Sequence, residues 1–227
     1  MTTLRKLSLV AILLMVPALA FAAQINELRI DNISGDTDEM FELVGAPGES
    51  LDGMTYVVIG DGAEGSGVVE NATDLTGLSL MDDGLLAVHN EGTVAQCTGY
   101  DVERPLAFEN SDNVTHLLVA GFTGAVGDDL DTNDDGVLDI EPWDSVLDCV
   151  ALLEEIGGGD LVYCDTTVGP DGTFVPGLVV LCADGWGIGA FDPVCDDMSP
   201  GEPNLDFCEG AVPTEKHDWG SMKSLYR

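Results

Sequence analysis

The strongest limit on how this chain can fold is a succession of short apolar runs, each closed by a glycine or aspartate turn. "INELRI", "MFELVG", "MTYVVIG", "GVVEN", "LLAVHN", "VTHLLVAGF", "SVLDCVALL", "DLVYCDTTV" and "TFVPGLVVLC" follow one another along the sequence. Several alternate with period two, as side chains on the two faces of a strand do. "GDGAEGSG", "DDG" and "GPDG" lie between them and supply the positive-φ positions that tight turns require. In "VGPDGTFVPG", Pro170 presets φ and Gly172 accepts the left-handed conformation, which predicts a hairpin. Apolar residues at helical spacing are nearly absent before the C-terminus. Many short strands of this kind predict an all-β fold, a sandwich or a barrel.

The first 22 residues predict a secretory signal peptide. Arg5 and Lys6 form its positive start, and the apolar run Leu7 to Val16 is too short to cross a bilayer. Pro17 breaks the run, and Ala20 and Ala22 give the small-x-small pattern cleaved by signal peptidases. No later stretch is long and apolar enough for a membrane span. Cleavage after Ala22 leaves about 205 residues, enough for one good core as a single all-β domain or for two small ones. The expected location is therefore secreted, periplasmic or cell-surface. Residues 23–208 form the predicted β-domain, with an acidic insertion at 127–141, and residues 209–227 form a short helix or tail. That tail gathers Lys216, Lys223 and Arg227 beside Trp219, Met222, Leu225 and Tyr226, whose apolar members would share one side of a helix.

Charge restricts the partners. Seven basic residues stand against 42 acidic ones, a net charge of −35. Loss of Arg5 and Lys6 with the signal leaves five against 42, or −37. No Lys or Arg lies between Arg29 and Arg104, or between Arg104 and Lys216. Such a field repels nucleic acid and anionic headgroups, whose binding requires cationic groups that displace counterions. It attracts cations. The expected partner is a protein or an extracellular matrix or surface component; life in a salty habitat is the alternative explanation for the charge.

Six cysteines, Cys97, Cys149, Cys164, Cys182, Cys195 and Cys208, follow the signal, an even number that predicts three disulfides in an exported chain. None forms C-x-x-C, and His89, His116 and His217 are scattered, which argues against zinc and thiol-redox chemistry. Cys195 and Cys208 flank the turn-rich "DDMSPGEPNLDF" and are the expected pair.

"GDDLDTNDDGVLD", residues 127 to 139, packs six aspartates and an asparagine into thirteen positions. Asp129, Asp131, Asn133 and Asp135 alternate, followed by Gly136 and Asp139. The run resembles the start of an EF-hand or dockerin calcium loop, D-x-[DN]-x-[DN]-G. Oxygens at positions one, three and five wrap a hard cation, and the glycine permits the sharp turn. Counted from Asp131, Asn133 is third, Asp135 fifth and Gly136 sixth; Val137 offers a backbone carbonyl at seven and Asp139 falls at nine. Position twelve, where a bidentate acid is expected, is Pro142, so Glu141, Asp144 or Asp129 would have to substitute. The expected ligands of a structural calcium ion are Asp129, Asp131, Asn133, Asp135, Val137 and Asp139. A solvated acidic turn is the competing reading.

Four segments also resemble, in order, the lamin tail domain. "INELRIDNISGDTDEMFELVGAPGESLDGMTYVVIG" is similar to that family's first strands, "ENSDNVTHLLV" and "DSVLDCVAL" to later ones, and "SPGEPN" to its closing turn. The resemblance runs from about Ala23 to Asn204 and implies an immunoglobulin-like β-sandwich that binds or scaffolds, without a shared catalytic centre. Bacterial members often accompany nucleases or phosphoesterases. Two functions of different class follow: an exported non-catalytic binding or structural module, or a secreted metal-dependent phosphoesterase or nuclease, or an accessory module of one. "GSG" around Ser66 lacks the frame of a nucleophile elbow, and His89 and His116 fall in strands, where a structural role is expected.

Overall fold

A computed structural model describes residues 23–30, 39–62, 65–90, 97–108, 111–157 and 159–210. The expected signal peptide and the tail beyond residue 210 lie outside them. The strands are β1 (Gln24–Arg29), β2 (Met40–Val44), β3 (Met54–Gly62), β4 (Gly65–Asp74), β5 (Leu85–Asn90), β6 (Val102–Arg104), β7 (Val114–Ala120), β8 (Ser145–Leu152), β9 (Thr167–Val168), β10 (Leu178–Cys182) and β11 (Gly185–Ile188). A short helix, α1 (Leu205–Gly210), closes the described chain.

Two sheets form, one of six strands in the order β11-β10-β1-β2-β5-β6 and one of five in the order β4-β3-β7-β8-β9. Neighbours are antiparallel except β5 with β6 and β8 with β9. The inward faces share one core. Ile25, Leu28, Phe41, Leu43, Leu86, Val88 and Val179 of the first sheet pack with Tyr56, Val58, Val114, Leu118, Val150 and Leu152 of the second. The Phe41 and Tyr56 rings stack across the sheets, with centroids 3.8 Å apart. The all-β expectation and its β-sandwich form hold. "DLVYCDTTV" pairs only through Thr167 and Val168. Its upstream half is fixed by side chains instead: Cys164 is bonded to Cys149 of β8, and the Tyr163 amide donates to Thr115 Oγ1 at 3.0 Å. The "GPDG" hairpin closes on an Asp171–Phe174 bridge, with Gly172 at φ 67°.

Three disulfides form, as the even count predicts, but the expected Cys195–Cys208 bond does not. The pairs are Cys97–Cys195, Cys149–Cys164 and Cys182–Cys208. The correction has a topological cause. The segment between residues 195 and 208 lies across the first sheet, so its ends meet different elements: Cys195 faces the loop before β6, and Cys208 in α1 faces the end of β10.

Several strands are buried on both faces because each sheet carries an outer cover. Over the five-stranded sheet lies the long β7–β8 connection, which contains the acidic run. Its Leu130, Leu138 and Trp143 pack with Val57, Ile59, Val69, Leu117 and Val119 in a second apolar cluster. Its backbone also extends the sheet: the Val69 amide donates to Asp128 O at 2.9 Å and the Leu130 amide to Gly67 O at 2.9 Å. The edge of β4 is thus partly occupied, which removes an exposed template for strand pairing.

Candidate functional site

The acidic run is a wound loop stitched by its own side chains. Asp131 lies at its centre with 0% exposure. Its Oδ1 accepts from the Asp135 amide at 3.2 Å, and its Oδ2 from the Gly136 amide at 2.9 Å and the Tyr163 hydroxyl at 3.0 Å. Asn133 Oδ1 accepts from the Asp135 amide at 3.1 Å, and Asp135 Oδ1 from the Val137 amide at 3.0 Å. Such side-chain-to-backbone bonds two residues apart are what short polar residues offer a turn. Two left-handed residues, Asp134 at φ 52° and Gly136 at φ 83°, make the sharp bends. Asp134 is held there because its Oδ1 accepts the Ser66 amide of β4 at 2.9 Å.

Each expected ligand has a definite place. Asp131, Asn133 and Asp135 occupy the one-three-five wrap just described. Asp129 bridges to Val68 and accepts the Asp131 amide at 3.1 Å. Asp139 accepts the Thr132 amide at 3.1 Å and its hydroxyl at 2.6 Å. The Val137 side chain is 67% exposed. The acidic side chains of this loop do not form a group of three with ligand atoms within 4.8 Å of one another. Among the described residues, Asp61, Asp112 and Asp160 do.

That trio borders the same end of the sandwich. Asp61 lies on β3 beside the start of β4, and the charges of Asp131, Asp61 and Asp134 all act on Tyr163. Desolvation raises the Asp160 carboxyl, with Asp61 and Glu155 adding repulsion. Asp131 behaves differently. Desolvation opposes its charge, but the bonds from Gly136, Tyr163 and Asp135 prevail and hold the carboxyl below the ordinary range. Its cover is thin, formed by its own loop, Gly67 of β4 and the Tyr163 hydroxyl, although none of its surface is exposed. Arg29 and Arg104 are the cationic side chains among the described residues. The carboxylates at this end therefore have amides, a phenol, water and dissolved cations to balance them.

Sequence spacing singled out the loop and missed Asp61, Asp112, Asp160 and Tyr163. These come from distant stretches that only the fold brings together: Asp61 on β3, Asp112 just before β7, and Asp160 and Tyr163 in the connection from β8 to β9. The histidines take structural places. His116 of β7 is fully buried, with Nδ1 2.8 Å from the Tyr56 hydroxyl and its ring edge-on to Phe108. Burial lowers its pKa to about 3, so it is neutral at physiological pH. His89 stacks on Tyr100 with centroids 4.6 Å apart. No family model, curated protein or solved structure matches the chain.

Proposed function

We propose that this chain is an exported, non-catalytic binding or structural module. Its fold is a lamin-tail-like sandwich whose acidic loop is fastened by calcium and whose surface engages a protein or matrix component outside the cell. One observation carries the reading. The loop winds around Asp131 so that the residues at positions one, three and five curl over the amides of residues 135 to 137. Calcium loops begin with oxygens at one, three and five and a glycine at six for the sharp turn, and this loop bends at Gly136 in that way. Asp131, Asn133, Asp135, Asp139 and the Val137 carbonyl would hold the ion, with Asp129 as a further ligand. Its role would be to neutralise and fasten the loop. A flexible set of many oxygens suits calcium better than magnesium.

Thermal melting in chelator and then in millimolar calcium tests the reading. Extracellular modules bind calcium at roughly 10⁻⁴ to 10⁻³ M. A tenfold excess over such a Kd contributes about 1.4 kcal/mol and raises Tm by about 3–6 °C. Asp135→Asn should reduce the rise. A transition at the same temperature in chelator and calcium overturns the calcium assignment.

A further inference from the structure

The outer face of the six-stranded sheet is covered by residues 97–101 and 195–204, joined through Cys97–Cys195. Glu27 of β1 and Glu42 of β2 lie beneath, directly opposed across the ladder and both 0% exposed. The cover grips each of them. Ser199 donates its amide to Glu27 at 3.1 Å and its hydroxyl at 2.6 Å. The Gly201 amide donates to Glu42 Oε2 at 2.6 Å, and Asn26 Nδ2 to Oε1 at 2.6 Å. Asn204 Nδ2 donates to Asn26 Oδ1 and to the Leu181 carbonyl, both at 3.0 Å. The two covering segments touch so closely that a Cβ on Gly99, at φ +99°, would fall 1.9 Å from Pro200 O.

Like charges directly opposed in a ladder repel, and burial denies them water. The other titratable or charged groups on the elements around the pair are Arg29 and His89 on the sheet, Glu39 just before β2, Tyr100 and Asp101 at the end of the first covering segment, and Asp196, Asp197 and Glu202 on the second. The Arg29 guanidinium contacts Met198 Sδ at 3.7 Å, and Asp101 accepts the Ala87 amide. We propose that residues 195–204 form a proton-gated strap, closed over Glu27 and Glu42 while the pair holds a proton and released when both ionise, which uncovers the sheet face around Asn26.

The environment of each carboxyl acts in the same sense as the geometry. Burial raises the Glu27 carboxyl, and burial, with the charges of Glu27 and Asp101 adding, raises Glu42 to about 8. A carboxyl raised on closure favours the closed strap fully below its ordinary value of 4.5, and that preference is lost as pH rises through about 8.

Amide exchange at Ser199 and Gly201, corrected for intrinsic rates between about pH 5 and about pH 8, tests the proposal. Protection is expected to fall by up to about tenfold per pH unit, the limit for one linked proton, while amides of β3 and β7 hold theirs. Glu42→Gln keeps an acceptor for Gly201 without a charge and should flatten the profile. Glu27→Gln serves the same purpose if the first variant does not fold. Protection independent of pH in the wild type overturns the strap, as does an unchanged slope in the Gln variants or a parallel loss in β3 and β7.

Discussion

Each sheet of this sandwich has an outer cover that sets carboxylates against backbone amides, and the two covers behave as opposites. Over the five-stranded sheet, Asp131 sits behind a thin wall and receives two amides and a phenol, so its charged form is favoured. Over the six-stranded sheet, Glu27 and Glu42 lie deeper, face one another and share fewer donors per oxygen, so their neutral forms are favoured. The difference shows that donor count must be weighed against depth and neighbouring charge before a buried carboxylate is called ionised. It also gives the covers opposite pH senses. The Asp131 contribution is present above its ordinary value of 3.8 and is lost as pH falls through its lower folded value. The strap contribution is lost as pH rises.

The largest effect should come from unfastening the strap covalently. Cys97 and Cys195 are 98 residues apart in sequence, and closing so long a loop restrains the unfolded chain strongly. Replacing both by serine should cost about 2–5 kcal/mol in denaturant unfolding. The acidic cover should keep its calcium response in that variant, because no described bond joins residues 195–204 to it. Loss of both together would break the contrast.

A smaller effect is expected at the other cover. Asp131→Ala leaves the Asp135 and Gly136 amides and the Tyr163 hydroxyl without their acceptor, a loss of about 1–3 kcal/mol. Urea unfolding measures it. The same variant should remove the destabilisation that appears in the wild type below about pH 4, since the carboxylate that protonates is gone. Retention of that acid limb would assign it to other carboxylates.

The sequence reading succeeded where local chemistry decides and fell short where register decides. The strands were legible as short apolar runs bounded by turn residues: β2, β5, β7 and β8 lie within such runs and β1 and β3 overlap them, although β1, β2, β5 and β7 are buried on both faces and so show length and turn boundaries more clearly than a period of two. The Asp131 loop was legible because its winding uses neighbours two to five residues away. The strands β6 and β11 were not, because three and four residues hold too little pattern to stand apart from turns. The Cys97–Cys195 pair was hidden by 98 residues of intervening chain. Glu27 and Glu42 carry no local mark of burial either. Alternation assigns Glu27 and Glu42 to an outward face, and only the return of Ser199 and Gly201 over that face makes it an interior.

The finest test of the acidic cover separates a side chain from its own carbonyl. Val137 is 67% exposed, so its isopropyl group contributes little packing, and its proposed part is the backbone oxygen at position seven of the calcium loop. Val137→Thr preserves β-branching and that oxygen, so unfolding stability should stay within about 0.5 kcal/mol. The calcium-induced rise in Tm should stay the same. A marked loss of the calcium response with unchanged stability in chelator would mean that the residue acts through its side chain. The assignment of position seven to a carbonyl would then be wrong, although the winding about Asp131 would stand.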